Sequence, residues 1–433
     1  MINPRTIAKE VAYADIATQA GQVQQQQADV DAENAGLDAL STSISDFETA
    51  VDGLNSAENG VVVNTATPSD ESVTASANSE AQPGTYSFYV TQLAQTQQNS
   101  FAMADDTIPA QGTVTLTMGE DTMDIDLASA DGDGDGYLDG NELVDAINDS
   151  DENPGVTATL MKTDSGNTIM LSSDQSGEAS AFSVSVSGNS DLQTAVDTTG
   201  QTLSSAQDAV IHLGTADGPQ ISSSTNTFDD VIPGVSMTFS EVTTDEPVTI
   251  KVAQDTSASQ AQVQIFVDSY NTLVDTIDDL TDVGSGGSSG GVFAGDAGMK
   301  SLSNQMNQIV HAEYDGKSIV DYGITLDSNG HLTIDSTTFD EAMKEDPEGL
   351  TNIFVGDDGM IAQFDDLMDT YTNSSDGIIT SRQQSLDDKQ DKIDTQTADL
   401  QQTYDQDYER YLSEYTNTMI EVYSMKMSMA AFG

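Results

Sequence analysis

The sequence predicts an α+β multidomain protein in which terminal helices form a coiled-coil stem or leg and β-rich head domains are inserted between them. Two observations carry this. Apolar residues recur at intervals of three and four at both ends of the chain, and in the centre they alternate with polar ones at a period of two. The length agrees, since 433 residues correspond to roughly two to four domains.

At the start, Leu37, Leu40, Ile44, Phe47, Val51 and Leu54 fall at the a and d positions of a heptad repeat. Val30 and Val23 extend the seam at intervals of seven, weakened by Glu33 at the seam position between Val30 and Leu37. At the other end Ile379, Leu386, Ile393 and Leu400 repeat every seven residues, and Tyr408, Leu412, Tyr415, Met419 and Val422 continue at four and three. A seam this narrow cannot bury itself alone, so the two ends are expected to pack on each other or on copies in an assembly.

Between them, TVTLTM and TMDIDL read as a hairpin, with Val114, Leu116 and Met118 facing Met123, Ile125 and Leu127. Further strand patterns are TYSFYVTQL (85–93), VTATLM (156–161), FSVSVS (182–187), VSMTFSEV (235–242) and VTIKVA (248–253). Helical spacing resumes at Val263, Phe266, Val267, Tyr270, Leu273 and Ile277. GSGGSSGG (284–291) then reads as a flexible linker or loop, and a mixed segment follows to about residue 360.

Composition narrows the function. Trp is absent and aromatic residues make up 6%, so much of the core is expected from Val, Ile, Leu, Ala and Met. The formal net charge of -61 repels nucleic acid and anionic lipid, which excludes both as partners and suits solubility in a salty medium. With no Cys, neither disulfides nor thiolate metal sites form. The opening MINPRTIAKEVAYADIA lacks the apolar run of a signal peptide, and no window approaches the ~20 apolar residues of a membrane span. Export, if it occurs, is expected by a route without a cleaved signal peptide.

DGDGDGYLDGNE (131–142) fills every slot of a twelve-residue EF-hand loop. Asp131, Asp133 and Asp135 supply the first three carboxylates, Tyr137 a backbone carbonyl, Asp139 the water-mediated position and Glu142 the closing bidentate pair. Gly136 stands at the sharp turn and apolar Leu138 at position 8. Five clustered carboxylates repel one another unless a hard divalent cation joins them, and Ca²⁺ fits better than Mg²⁺ with its tight octahedron. Strand TMDIDL precedes the loop, helix NELVDAIND follows it, and no second loop stands by to pair with it. A lone loop of this kind is expected to lock a local fold through one structural Ca²⁺, not to act as a sensor.

No catalytic constellation appears. His212, His311 and His331 are widely spaced without a ligand pattern, and no nucleophile elbow, Walker loop or dinucleotide fingerprint is present.

Several stretches carry a family likeness. GTYSFYVTQLAQTQ (84–97), QDAVIHLG with ISSSTNTFDDVIPGVSMTF (207–239), FVDSYNTLV (266–274), FAGDAGMKSL (293–302) and YGITLDSNGHLTIDSTTFDEAM (322–343) resemble, in the same order, segments of the flagellar filament cap family, hook-associated protein 2. ELVDAINDSDENPGVTATLMKTDSGNTIMLSS (142–173) is similar to a repeat of hook and hook-associated proteins, in which a short loop joins strand to helix; the acidic loop is thus an embellishment of this sequence.

The resemblance implies a homo-oligomeric ring at the distal filament tip, extracellular, reached through the flagellar export apparatus, with flagellin and hook-associated junction proteins as partners. It implies terminal helical segments 1–36 and 408–433 touching the filament end and a leg or stem of 37–64 and 264–407. It further implies a β-rich head of 65–106 and 202–263 and a second head of 107–201. The narrow polar-flanked seams would give adaptable contacts, assigned to Leu37, Leu40, Ile44, Phe47, Leu54, Ile393, Leu400, Tyr408, Leu412 and Tyr415. The same side chains could instead close each subunit's own coiled coil. The rival readings are another flagellar axial component, such as a hook-filament junction protein, and a calcium-stabilised secreted adhesin; a secreted hydrolase lacks any signature.

Overall fold

Asn3 and Pro4 suit the start of a helix. The Asn3 side chain accepts the Arg5 N–H at 3.0 Å, and Pro4 at the first helical position gives up no hydrogen bond. The helix they open, α1 (Pro4–Leu54), runs 51 residues. The computed structural model describes residues 3–56, 60–103, 108–164, 166–284, 290–356 and 358–432. Among them the remaining helices are α2 (Leu127–Ala130), α3 (Gly140–Asn148), α4 (Ser190–Thr199), α5 (Thr256–Thr281), α6 (Ala297–His311), α7 (Ser336–Glu345), α8 (Pro347–Phe354), α9 (Met360–Thr372) and α10 (Ile378–Phe432).

The chain divides into a unit of Met1–Val62 with Thr256–Gly433 and a unit of Val63–Asp255. The first is helical and the second β-rich, the architecture the sequence predicts.

In the helical unit α1 and α10 pair antiparallel. Tyr411 Oη donates to Asp15 Oδ2 at 2.7 Å, Gln27 and Gln390 exchange amide hydrogen bonds at 2.8 Å, and Lys389 reaches Glu33 at 2.9 Å, so the partner number falls as the other rises. Toward the C-terminal half of α1 the pair meets α5, α6, α8 and α9 in one core. The few aromatics concentrate there instead of being diluted among aliphatics: Phe47 lies 4.9 Å from Phe364 and Phe266 5.2 Å from Phe354 in edge-to-face geometry. Gly36 permits the close approach of the 292–293 segment, because a Cβ there would stand 2.7 Å from Val292 Cγ1. Ile324–Leu326 and Leu332–Ile334 form a small hairpin on this unit, and Asp327 Oδ1 closes its turn by accepting the Asn329 and His331 N–H groups.

The β-rich unit has two cores. One lies under an antiparallel five-stranded sheet in the order 64–68, 248–254, 84–92, 209–213, 220–223, together with a three-stranded sheet of 227–232, 235–239 and 73–77. Ile232 pairs with Val235 across Pro233–Gly234, and Gly234 has φ +71°, the conformation a type II turn requires at its third position. The other core is closed by a four-stranded sheet of 201–204, 98–102, 166–173 and 156–163 and by a three-stranded sheet of 182–187, 113–118 and 121–126. The expected hairpin forms in register, with Val114 opposite Ile125 and Leu116 opposite Met123.

Three details differ from the sequence expectation. α5 begins at Thr256 within the helical unit, so 256–263 leaves the head segment 202–263; its first two turns, TSASQAQ, carry small polar residues that show no apolar period. Neither residue 36 nor residue 408 interrupts a helix, since α1 and α10 run through both. A helical turn, α2, separates the strand ending at Asp126 from the acidic loop, because the Asp126 side chain accepts the Ala128 N–H at 3.1 Å and caps it. Of the linker GSGGSSGG, residues 285–289 lie outside the described residues.

Candidate functional site

Between α2 and α3, the acidic loop folds on its own carboxylates. Asp131 accepts the Gly134 N–H at 2.7 Å and the Gly136 N–H at 2.9 Å, wrapping the chain around itself. Gly134 and Gly136 have φ +76° and +86°, so side chains at either position would be strained. Glu142 reaches back to the Gly132 N–H at 2.9 Å with Oε1 and to the Asp139 N–H at 2.9 Å with Oε2. Asp139 in turn accepts the Glu142 N–H at 2.8 Å, a reciprocal capping box that starts α3.

Of the six expected ligands, the fold brings three together: Asp131, Asp133 and Glu142 each offer an oxygen, and these lie within 4.8 Å of one another. Asp135 and Asp139 stand apart from that cluster. Asp135 Oδ1 takes the Tyr137 N–H at 2.8 Å and Asp139 Oδ1 takes the Asn141 N–H at 2.8 Å, since backbone donors lie closer to hand. Opposite Tyr137 stands Pro109, which has no N–H to bond the Tyr137 carbonyl. The Asp135 N–H bond pulls the Asp133 carboxyl down, yet desolvation and the charges of Asp135, Glu142 and Asp131 leave it above its ordinary value. Such a loop has the donor set of a hard-cation site.

Two residues missed in the sequence hold this region to its sheet. Asn148 Nδ2 donates to the Ala158 carbonyl at 3.0 Å while its Oδ1 accepts the Ala158 N–H at 2.8 Å, pairing the open edge of strand 156–163 as a neighbouring strand would. Asn153 does the same at Val156, with both bonds at 2.8 Å. The available signal was a pair of Asn residues at the end of a helix and just before an edge strand.

In the leg, Leu37, Leu40, Ile44, Phe47 and Leu54 are at most 1% exposed, and Ile393 5%. These six fill the chain's own core, so the filament or oligomer contact expected of them is corrected to closure within one subunit: their surface is already spent on neighbours in the same chain. Leu400, Tyr408, Leu412 and Tyr415 are only half-buried and keep one side outward. The rings of Tyr404 and Tyr408 stack at 6.3 Å, and those of Tyr411 and Tyr415 lie 6.3 Å apart, which makes one side of α10 a tyrosine row.

Long antiparallel end helices around a β-rich insert define a structural protein of the bacterial flagellum once likeness to known proteins is added. The flagellar hook-associated protein 2 N-terminus model matches residues 2–97, and the C-terminus model of the same family matches residues 206–426, more than half of the chain. The chain belongs to the flagellar hook-associated protein 2 family.

Similar proteins include the lateral flagellar hook-associated protein 2 of Vibrio parahaemolyticus, 35% identical over 83% of this chain and 83% of that protein. The A-type flagellar hook-associated protein 2 of Pseudomonas aeruginosa is 30% identical over 81% of this chain and 78% of that one. Among solved structures, the D1-D2-D3 domains of the flagellar cap protein FliD from Escherichia coli are 26% identical with a TM-score of 0.68, covering 81% of this chain and 99% of that chain.

Proposed function

We propose that this protein caps the flagellar filament: copies assemble at the distal tip, outside the cell, where exported flagellin folds and inserts beneath them instead of leaking away. One observation carries the reading. The family match covers most of both terminal helices, and those helices form an antiparallel pair along which Leu400, Tyr408, Leu412 and Tyr415 remain half-exposed. A row of leucines and tyrosines with polar flanks holds a partner and still releases it, as a cap that shifts with each inserted subunit needs. Beyond flagellin, the partners are the hook-associated junction proteins and the export apparatus. Deletion of the protein tests the reading. Loss of motility with free flagellin in the medium is expected, and normal motility overturns it.

The acidic loop supports a second, narrower reading: one Ca²⁺ held by Asp131, Asp133 and Glu142, with Asp135, the Tyr137 carbonyl and Asp139 turning in to complete the shell. The convergence of Asp131, Asp133 and Glu142 favours it. Its role is structural, tying α3 and strand 137–138 to the β-rich unit.

A further inference from the structure

A narrow ribbon joins the two cores of the β-rich unit. The chain crosses between them along residues 93–97, which lead from strand 84–92 to strand 98–102, and returns along residues 205–208, from strand 201–204 to strand 209–213. The crossings run side by side. Gln95 and Gln207 exchange backbone hydrogen bonds at 3.0 and 3.3 Å, and Gln207 Nε2 donates to the Leu93 carbonyl at 2.9 Å. Compact parts joined by so slight a connection move relative to one another unless something else ties them, and the connection is where they hinge.

A third tie stands off that ribbon. The loop 174–181, between strands 166–173 and 182–187 of one core, reaches the other core and the ribbon with three consecutive residues. Ser176 Oγ donates to the Ser224 carbonyl at 2.7 Å, the Gly177 N–H to the Gln95 carbonyl at 3.3 Å and the Glu178 N–H to Asp208 Oδ1 at 2.7 Å. Asp208 is itself held, since its carbonyl accepts from Gln92 Nε2 at 2.7 Å. Gly177 is buried at the contact with φ +100°, and a Cβ there would stand 2.7 Å from Ser224 Cβ. Both roots of the loop are fixed to their own core by Gln97. This buried residue donates its N–H to Ser173 Oγ at 2.9 Å and its Nε2–H to the Phe182 carbonyl at 2.7 Å, and its Oε1 accepts the Phe182 N–H at 3.1 Å.

Two points of attachment allow rotation about the line that joins them, and a third point off the line stops it. We propose that residues 174–181 are a strap that fixes the angle between the two cores, with the Asp208 carboxylate the positioning residue on which it closes. A carboxylate suits the task, because an ionised acceptor makes the stronger bond to a backbone N–H. Braced, the β-rich unit presents one surface of constant shape. Unbraced, it hinges at Gln95 and Gln207.

The absence of Cys lets paired spin labels report the angle in the full-length protein. Lys251→Cys and Ser185→Cys put a label on an exposed strand position of each core. Pulsed dipolar spectroscopy is expected to give one narrow distance distribution. Asp208→Ala should widen it roughly twofold or more by freeing the loop, and Gly177→Ala should do the same by lifting the loop off Ser224. Asp208→Asn keeps an acceptor oxygen and should leave the distribution narrow. Circular dichroism and the melting temperature check that each variant is folded. A broad distribution in the labelled parent, an unchanged width in Asp208→Ala and Gly177→Ala, an equal widening in Asp208→Asn, or widening only together with loss of the folded signal overturns the strap.

Discussion

Ile108 stands opposite Leu138 in a two-residue antiparallel ladder, and the Ala110 N–H adds a 3.0 Å bond to the Gly136 carbonyl. Leu138 is position 8 of the acidic loop and is fully buried. A strand from the same chain thus occupies the side on which a second loop would pair, which explains how a lone loop keeps its shape. The loop is tied to the core of the β-rich unit through Leu138 and through Leu143 and Ile147 of α3.

Calcium should accordingly raise the melting temperature of the β-rich unit, and Asp131→Ala with Glu142→Ala should abolish that rise. At a free Ca²⁺ concentration 100 times the dissociation constant the gain is about 2.7 kcal/mol for an ion that binds only the folded state. Calorimetry with and without EDTA measures it. Superimposable melts under the two conditions would reduce the loop to a solvated turn.

Buried and half-exposed seam positions should separate in mutagenesis. Phe47 is 1% exposed and packs 4.9 Å from Phe364, so Phe47→Ala should cost about 3–5 kcal/mol of stability by leaving a cavity. Leu400 is half-buried on the leg, and Leu400→Ala should stay within about 1 kcal/mol while impairing capping. Urea titration and a motility assay on each variant read both quantities. If Leu400→Ala leaves motility untouched, the outward row is not the working surface.

Period carried most of what could be read in advance. The heptad at 37–54 and the alternation at 113–126 each became the expected element because one face of each is buried, and burial is what writes a period into sequence. Where the buried face is small or polar, the reading ran short: Ala8 and Ala12 are fully buried in α1, yet alanine leaves no apolar mark in a polar stretch. Which side of a seam meets its own chain was also illegible, since Leu37 and Leu400 occupy equivalent heptad positions and differ only in what other elements surround them. The pairing of Ile108 with Leu138 links segments 30 residues apart through two-residue strands too short to show a pattern.

Arg382 secures the start of α10 to the head of α6. Its Nη2 donates to Asp296 Oδ1 at 2.8 Å, its guanidinium lies 5.7 Å from the Phe293 ring, and Asp296 also accepts the Gly298 N–H at 2.8 Å. The Arg382 bond above all holds the Asp296 carboxyl below its ordinary range. Arg382→Met, which keeps much of the packing, should cost about 1–3 kcal/mol, and Asp296→Ala about 1 kcal/mol more because the α6 cap goes with it. A double-mutant cycle by chemical denaturation measures the coupling, and a coupling near zero would show the pair to be idle.

Like charges gather where α1 meets α9. Burial above all, then the charges of Asp365, Asp52 and Asp369, raises the Glu48 carboxyl above its ordinary 4.5. Burial, then Asp52 and Asp366, does the same to Asp365. A carboxyl raised in the folded state binds its proton there at a pH where the unfolded chain has released it, so stability falls as pH rises through that window and is regained on acidification. Asp296 and Asp346 run the other way, since their folded values are lowered and the stability they add is lost only when pH falls through those lower values. The helical unit should therefore melt at a higher temperature near about pH 5 than at pH 7, with a decline in stronger acid. Glu48→Gln, which carries the neutral form at every pH, should raise the melting temperature at pH 7 and shrink the gain between the two. A melting temperature for wild type that falls steadily from pH 7 downward would mean that these carboxylates do not repel one another across the interface.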